Sequence, residues 1–226
     1  MGAGRFRIAE ALASCPAYPI LDSSTLDGRS QVEWLDAVLS GGVKVVQLRL
    51  KDASRDDLLA RAALFGAMCR EAGALSIIND HADVALVTGC DGVHLGPADS
   101  GIAEARSSAE AWERRDLIIG ASARAPERAR DLEAADADYI GCGACFPTDT
   151  KIDTEYIGLD GLKAVCAAVS IPVVGIGGIG WDNWEAVMES GAKGFAAISM
   201  WNLSPGEIRA KLDALMAARR GRGERD

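Results

Sequence analysis

The chain has 226 residues, of which 49% are hydrophobic, and carries a formal net charge of −9. This length allows one sizeable core, and α/β barrels of this size commonly form a single domain. The acidic charge argues against nucleic acid and anionic membranes as partners. The sequence contains no run of about 18 apolar residues that would predict a membrane span. No apolar secretion-signal core follows the first residues, so we expect a cytoplasmic protein.

Eight short apolar runs predict β-strands. They read as continuous apolar segments, which is typical of parallel strands buried on both faces. The predicted strands are 18–22, 43–48, 75–78, 92–95, 116–119, a short strand around Tyr139 and Ile140, 171–174 and 194–198. Segments with helical apolar spacing follow the strands. The predicted helices are 31–39, 56–71, 82–87, 102–114, 126–135, 159–169, 181–190 and 207–219.

The repeated alternation of strand and helix predicts a (β/α)8 TIM barrel. We expect one domain over 1–226, with an N-terminal lead-in over 1–15 and a frayed charged tail over 220–226. A doubly wound open sheet is the competing fold, and it would normally carry a single Gly-rich loop after its first strand. In this chain the Gly-Ile-Gly-Gly sequence at 175–178 follows the seventh predicted strand instead.

Polar residues follow the predicted strands one after another. In a barrel the carboxyl ends of all strands meet at one rim, where barrel enzymes bind their substrates. These residues are Arg49 and Lys51 after the second strand, Asn79 and Asp80 after the third, Asp99 after the fourth, Ser122 after the fifth, Thr148, Thr150 and Lys151 after the sixth, Gly177 and Gly178 after the seventh, and Ser199 after the eighth. The sequence therefore predicts an active site at this rim.

The charged members of this set suggest a metal–diphosphate site. Arg49, Lys51 and Lys151 are cations, whereas Asp80 and Asp99 supply carboxylates. Mg²⁺ takes one or two carboxylates together with phosphate oxygens and water, so a diphosphate and Mg²⁺ could share such a site. Simple ion pairing among the same side chains is the alternative interpretation.

A second phosphate site is predicted beside the first. Barrels often bind phosphate with the loops after strands seven and eight, where glycines let backbone amides approach the ligand. Gly177, Gly178 and Ser199 lie there, and Thr148 and Thr150 supply hydroxyls from the loop after strand six. The glycine sequence alone would be a weak signal, because it also fits a tight turn.

The cysteines and histidines predict no further site. The six cysteines form no disulfide framework, and we expect them to be reduced. Cys142 and Cys145 form a Cys-x-x-Cys pair, which could be a redox pair or half of a zinc site but is better explained as small residues in a tight loop. The only histidines are His81 and His94. His94 lies within a predicted strand, where a core role is at least as good an interpretation as a catalytic one.

Seven ordered motifs resemble the thiamine-phosphate synthase family. They are Val-Gln-Leu-Arg-Leu-Lys at 46–51, Ile-Asn-Asp at 78–80, Gly-Val-His-Leu-Gly at 92–96 with Asp99 beyond it, Gly-Ala-Ser at 120–122, Asp-Tyr-Ile-Gly at 138–141, Phe-Pro-Thr-Asp-Thr-Lys at 146–151 and Val-Gly-Ile-Gly-Gly-Ile at 174–179. The chain departs from the family pattern at Ala144 and Cys145, where Pro and Ile or Val are usual. It departs again at Pro97 and Ala98, where Gln and an acidic residue are frequent.

The resemblance implies an alkyl transferase that joins hydroxymethylpyrimidine diphosphate to hydroxyethylthiazole phosphate. It implies Mg²⁺ bound through Asp80 and Asp99, and catalytic roles for Arg49, Lys51, Ser122 and Lys151. It further implies diphosphate contacts from Asn79 as well as those cations, pyrimidine contacts from Gln47, and thiazole phosphate contacts from Thr148, Thr150, Gly177, Gly178, Ile198 and Ser199. The expected partners are these two small molecules, and a homo-oligomer is compatible with the sequence. The alternatives are a thiazole tautomerase-like relative and a non-catalytic barrel that binds a phosphorylated ligand.

Overall fold

The chain folds into a closed barrel of eight parallel strands in sequential order. The computed structural model describes residues 2–26, 28–96, 101–147 and 156–223. Strand β1 pairs with β2 on one side and with β8 on the other, so no open edge remains. The strands are β1 Ala17–Asp22, β2 Val45–Arg49, β3 Leu75–Asn79, β4 Gly92–Leu95, β5 Ile118–Ala123, β6 Tyr139–Cys142, β7 Val173–Ile176 and β8 Gly194–Ala197. The barrel prediction is confirmed, and closure excludes the open sheet.

Helices cover the outside of the barrel, in the order expected for right-handed β–α units. They are α1 Ala3–Ser14, α2 Ser23–Leu26, α3 Gln31–Ser40, α4 Arg55–Glu71, α5 Ala82–Thr88, α6 Ile102–Ala111, α7 Pro126–Ala134, α8 Gly158–Ala168, α9 Trp184–Glu189 and α10 Pro205–Gly223, with a 3₁₀ turn at Ser199–Trp201. Within the described residues, none of these helices combines the length and the apolar content needed to cross a membrane.

Helix α1, which the sequence did not predict, lies against the amino-terminal end of the barrel. Its Ile8 and Leu12 are buried and belong to the same cluster as the interior residues Val45 and Ile118. Arg7 fixes the helix by pairing with Asp116 at 3.3 Å. The helix thus contributes apolar side chains to the barrel interior, and the ligand cavity lies at the opposite, carboxyl end.

Five strands, namely β2, β3, β5, β6 and β7, end later than predicted, and the difference is largest at β5. Strand β5 begins at Ile118 rather than 116, because Asp116 is drawn into ion pairs with Arg7 and Arg114. It then continues to Ala123, and β6 runs through Gly141 to Cys142. Small residues allow this extension, since they leave room inside the barrel for large side chains on neighbouring strands. Ser122 is therefore a strand residue with a fixed direction rather than a loop residue.

Candidate functional site

A cavity of about 490 Å³ opens at the carboxyl ends of the strands. This volume falls in the usual range for small-molecule sites. Every predicted site residue in the described part of the chain lines it, namely Gln47, Arg49, Lys51, Asn79, Asp80, Ser122, Gly177, Gly178, Ile198 and Ser199. The predicted residues Asp99, Thr148, Thr150 and Lys151 lie outside the described residues. The strand-end pattern therefore marks one shared site.

Arg49 provides a cation that an ion pair with the neighbouring strand holds in place. Its guanidinium pairs with the carboxylate of Asp22 at the end of β1, and its side chain is only 14% exposed. Asp22 also accepts hydrogen bonds from the backbone and the hydroxyl of Ser24, at 3.0 and 2.6 Å. Burial opposes ionisation of Asp22, but the bonds from Ser24 and the Arg49 guanidinium outweigh it and lower the pKa of this carboxyl. Arg49 is thus oriented toward the cavity together with the more exposed Lys51.

Asn79 and Asp80 place hard oxygen atoms on the adjacent wall. Asp80 has a φ of 68°, a left-handed conformation that Asp tolerates better than most residues. Its backbone amide donates to the carbonyl of His94 at 2.9 Å, which ties the end of β3 to β4. The described residues contain no cluster of three or more potential metal ligands. Two oxygen-bearing side chains beside cations nevertheless fit the coordination of Mg²⁺, which completes its shell with phosphate oxygens and water.

The glycine loop after β7 forms the opposite wall and contacts the loop after β6. Gly177 and Gly178 have φ values of 95° and 65°, which favour glycine. A side chain at Gly178 would meet the Phe146 carbonyl at 2.7 Å. Phe146 donates its amide to the Gly177 carbonyl at 3.0 Å, and Asn183 holds the Gly178 carbonyl at 3.0 Å. These bonds fix a backbone surface that a phosphate could approach closely.

Three residues of the cavity floor were not predicted as site residues. Tyr18 and Tyr139 are almost fully buried within β1 and β6, and His94 projects from β4. All three line the cavity, and His94 Nε2 lies 3.0 Å from Ser122 Oγ. The sequence left a core role and a catalytic role open for His94, and the structure places its imidazole at the cavity. The sequence does not indicate whether a single polar side chain in an apolar strand faces the barrel interior or the surrounding helices.

Two further arginines line the rim beyond β5. Arg124 follows Ser122 on the same strand end, and Arg128 lies one helical turn later on α7. Both are exposed, whereas Arg130 on the same helix pairs with Glu127. The cavity therefore receives positive charge from β2 and from the β5–α7 connection, on a chain whose net charge is −9.

The Cys142 and Cys145 thiols belong to the core. Both are free and fully buried, and neither is among the cavity-lining residues. Burial raises the pKa of Cys142 to about 12 and that of Cys145 to about 11. Both thiols are therefore protonated and poorly nucleophilic at neutral pH. The predicted tight loop is wrong for Cys142, which is the last residue of β6, whereas Cys145 lies in the loop that follows.

Fold and site together define a (β/α)8 barrel whose cavity has cations at one wall and a glycine loop at the other. The sequence model of the family described as thiamine monophosphate synthase matches residues 17–200. A thiamine-phosphate synthase from Natronomonas pharaonis is 43% identical over 186 residues, covering 80% of this chain and 85% of that protein. A solved thiamine phosphate pyrophosphorylase from Pyrococcus furiosus superposes with a TM-score of 0.79 at 35% identity, covering 92% of this chain and 98% of that one.

A plant relative is larger. The chloroplastic thiamine biosynthetic bifunctional enzyme TH1 of Arabidopsis thaliana is 44% identical over 174 residues, which cover 76% of this chain and 33% of that protein. The chain thus spans about a third of the length of the plant bifunctional enzymes that it matches. From the family match and these relatives, the chain belongs to the thiamine monophosphate synthase family.

Proposed function

We propose that this protein joins hydroxymethylpyrimidine diphosphate to hydroxyethylthiazole phosphate, releasing pyrophosphate and forming thiamine phosphate. The observation that carries the proposal is the convergence of Arg49, Lys51, Asn79, Asp80 and Ser122 on one cavity that also contains the glycine loop. A site for two phosphorylated substrates needs two anion-binding walls, and the proposal is supported by cations on one side of the cavity and the glycine loop on the other. The family membership of the chain supports the same reaction.

In the proposed reaction, the bond between the methylene carbon and the diphosphate oxygen breaks first. Pyrophosphate leaves with the electron pair, and the thiazole nitrogen then attacks the pyrimidinylmethyl cation to form the new carbon–nitrogen bond. Arg49 and Lys51 stabilise the charge that develops on the leaving oxygens, as preorganised cations do. The glycine loop at Gly177 and Gly178 holds the second substrate by its phosphate, which makes the capture step effectively intramolecular.

Mg²⁺ would be held by Asp80, with Asp99 as the expected second carboxylate, and would neutralise diphosphate charge when bound. Lys151, Thr148 and Thr150 are proposed to contact the substrates as the family resemblance implies. Replacement of Asp99 by Ala should abolish Mg²⁺-dependent turnover and leave thiazole phosphate affinity nearly unchanged. A wild-type rate in this variant would remove Asp99 from the metal site. A cytoplasmic location also remains our prediction.

The direct test is to incubate the purified protein with both substrates and Mg²⁺, then to measure thiamine phosphate and released pyrophosphate. Equal amounts of the two products are expected. Turnover of thiazole phosphate isomers without pyrophosphate release would indicate a thiazole tautomerase. Binding of thiazole phosphate without any product would indicate a non-catalytic barrel. Retention of the diphosphate-side residues Arg49, Lys51 and Asn79 favours the synthase over both alternatives.

A further inference from the structure

A continuous chain of hydrogen bonds crosses the floor of the cavity. Gln47 Nε2 donates to Tyr18 Oη at 3.1 Å, and Tyr18 Oη lies 2.8 Å from Tyr139 Oη. Tyr139 Oη lies 3.0 Å from His94 Nδ1, and His94 Nε2 lies 3.0 Å from Ser122 Oγ. Strands β2, β1, β6, β4 and β5 each supply one member. This series of hydrogen bonds therefore links Gln47, the expected pyrimidine contact, to Ser122.

If each hydroxyl in this hydrogen-bonded series passes its single proton to the next member, the order of donors that begins at Gln47 is defined. A tyrosine hydroxyl has one proton to donate. Tyr18 accepts from Gln47, so in this order its own proton goes to Tyr139 and the Tyr139 proton goes to His94 Nδ1, while the two distances by themselves admit either direction. A neutral imidazole that accepts at Nδ1 carries its proton on Nε2. This proton faces Ser122 Oγ, which accepts it and keeps its own hydroxyl proton for another partner.

Burial and nearby glycines hold the side chains of this hydrogen-bonded series in place. Tyr18 and Tyr139 are 1% and 0% exposed, and burial raises the pKa of both hydroxyls, so both stay protonated. Gly120, which pairs with Tyr139 across the β5–β6 ladder, leaves the space that the tyrosine ring occupies. A side chain at Gly141 would approach His94 Cε1 to 2.8 Å. These glycines explain why two large polar rings fit inside the barrel.

We propose that Tyr18, Tyr139 and His94 are positioning residues, which hold His94 as its Nε2-protonated tautomer so that Ser122 presents a hydrogen-bond donor to the cavity. The inference deepens the proposed function and rests on it for the identity of the substrate. A donor at Ser122 suits the leaving oxygen of a diphosphate, where negative charge develops. The opposite hydrogen-bond order would make Ser122 donate to His94 and leave no donor for the ligand.

The tautomer can be measured without substrate. With only two histidines in the chain, the variant His81→Gln leaves His94 as the sole signal in a protein labelled with ¹⁵N-histidine. We expect a pyrrole-type Nε2 and a pyridine-type Nδ1 at neutral pH, and a mixture of tautomers in Tyr139→Phe. A proton on Nδ1 in the His81→Gln protein, or a mixture there, would overturn the proposal. This readout stands whether or not the protein proves to be a synthase.

A double-substitution cycle tests whether Tyr139 acts through Ser122. Ser122→Ala should lower kcat by about 100-fold and Tyr139→Phe by about tenfold, with little change in KM for either substrate. The double variant should be no slower than Ser122→Ala, because the donor that Tyr139 orients is already gone. Losses that multiply would show that Tyr139 acts separately and would overturn the positioning role. If all forms lack synthase activity, the proposed function fails, and the tautomer measurement still decides the hydrogen-bond order.

Discussion

Removal of the charge on Asp22 should destabilise the ligand-free protein, and pyrophosphate should restore much of the loss. In Asp22→Asn the side chain keeps its size and its bonds from Ser24, but its amide nitrogen can face the Arg49 guanidinium. Loss of one partner from a fully buried ion pair costs about 3–5 kcal/mol, and a hydrogen bond to a charged group is worth about 1.5–3 kcal/mol. Arg49 borders the cavity and its side chain is 14% exposed. We therefore expect Asp22→Asn to lower the free energy of unfolding by about 2 kcal/mol, which is less than the loss for a fully buried pair.

The assay is urea unfolding at pH 7 with and without pyrophosphate and Mg²⁺. The anion re-pairs Arg49 only in the folded state, so it should stabilise Asp22→Asn more than the wild type. Asp57→Asn is the matched control, since Asp57 pairs with Arg61 on exposed helix surface and should change the free energy of unfolding by less than about 0.5 kcal/mol. The reasoning would be refuted if Asp22→Asn and Asp57→Asn changed the free energy of unfolding equally. It would also be refuted if pyrophosphate left the stability difference between the wild type and Asp22→Asn unchanged.

The same pair predicts a pH dependence of stability. The pKa of Asp22 is lowered in the folded state, so the folded protein releases this proton more readily than the unfolded chain. The stabilisation from Asp22 is therefore complete above the unfolded pKa of about 3.9 and is lost as the pH falls through the folded value. The wild type should lose stability more steeply than Asp22→Asn in this acidic range.

Three further predictions concern packing inside the barrel, a buried ion pair and the positive charge at the cavity rim. Gly120→Ala should destabilise the protein by about 1–3 kcal/mol in urea unfolding, because the added methyl group overlaps the Tyr139 ring; an unchanged midpoint would contradict the packing argument. Asp138→Asn should cost about 3 kcal/mol in the same assay, since this 3%-exposed carboxylate accepts from an α6 arginine at 2.7 Å and a β5 amide at 2.8 Å. Arg128→Gln should weaken pyrophosphate binding about two- to fivefold at low salt, measured by calorimetry. Arg130→Gln, which changes a residue outside the cavity lining, should not alter this affinity, and equal effects of the two arginines would exclude a specific role.

The sequence predicted the strands well because each is a short apolar run between turn residues. The sequence did not predict α1, because Ile8 and Leu12 form only a narrow apolar face. These two side chains are buried against the end of the barrel, a contact that local sequence does not indicate. The end of β5 was placed too early, since Gly120 and Ser122 resemble loop residues. Their place in a strand depends on the large side chains of the neighbouring strands, which local sequence does not encode.

The site residues likewise fall into those that the sequence predicts and those that it does not. Residues that follow strands were predictable, because the ends of parallel strands meet in space whatever their identity. Arg49 and Asp80 were found in this way, and both line the cavity. Tyr18 and Tyr139 were not, because a polar tip within a buried strand can face either the barrel interior or the helices. Asp22 was missed for a different reason, since its role depends on its contact with Arg49 across the β1–β2 pair.

The departure from the family pattern at Ala144 and Cys145 involves two uncharged residues, of which Ala144 lines the cavity and Cys145 does not. Cys145 donates its amide to the Ile176 carbonyl at 2.9 Å, and its buried thiol is not part of the cavity lining. Ala144 lies against Gly177, where an added Cβ would approach the Ala144 Cα to 2.8 Å. The absence of a side chain at Gly177 therefore lets the two loops touch. Because the amides of Cys145 and Phe146 bond to the carbonyls of Ile176 and Gly177, residues 145–146 are held beside the glycine loop by backbone groups that do not depend on side-chain identity.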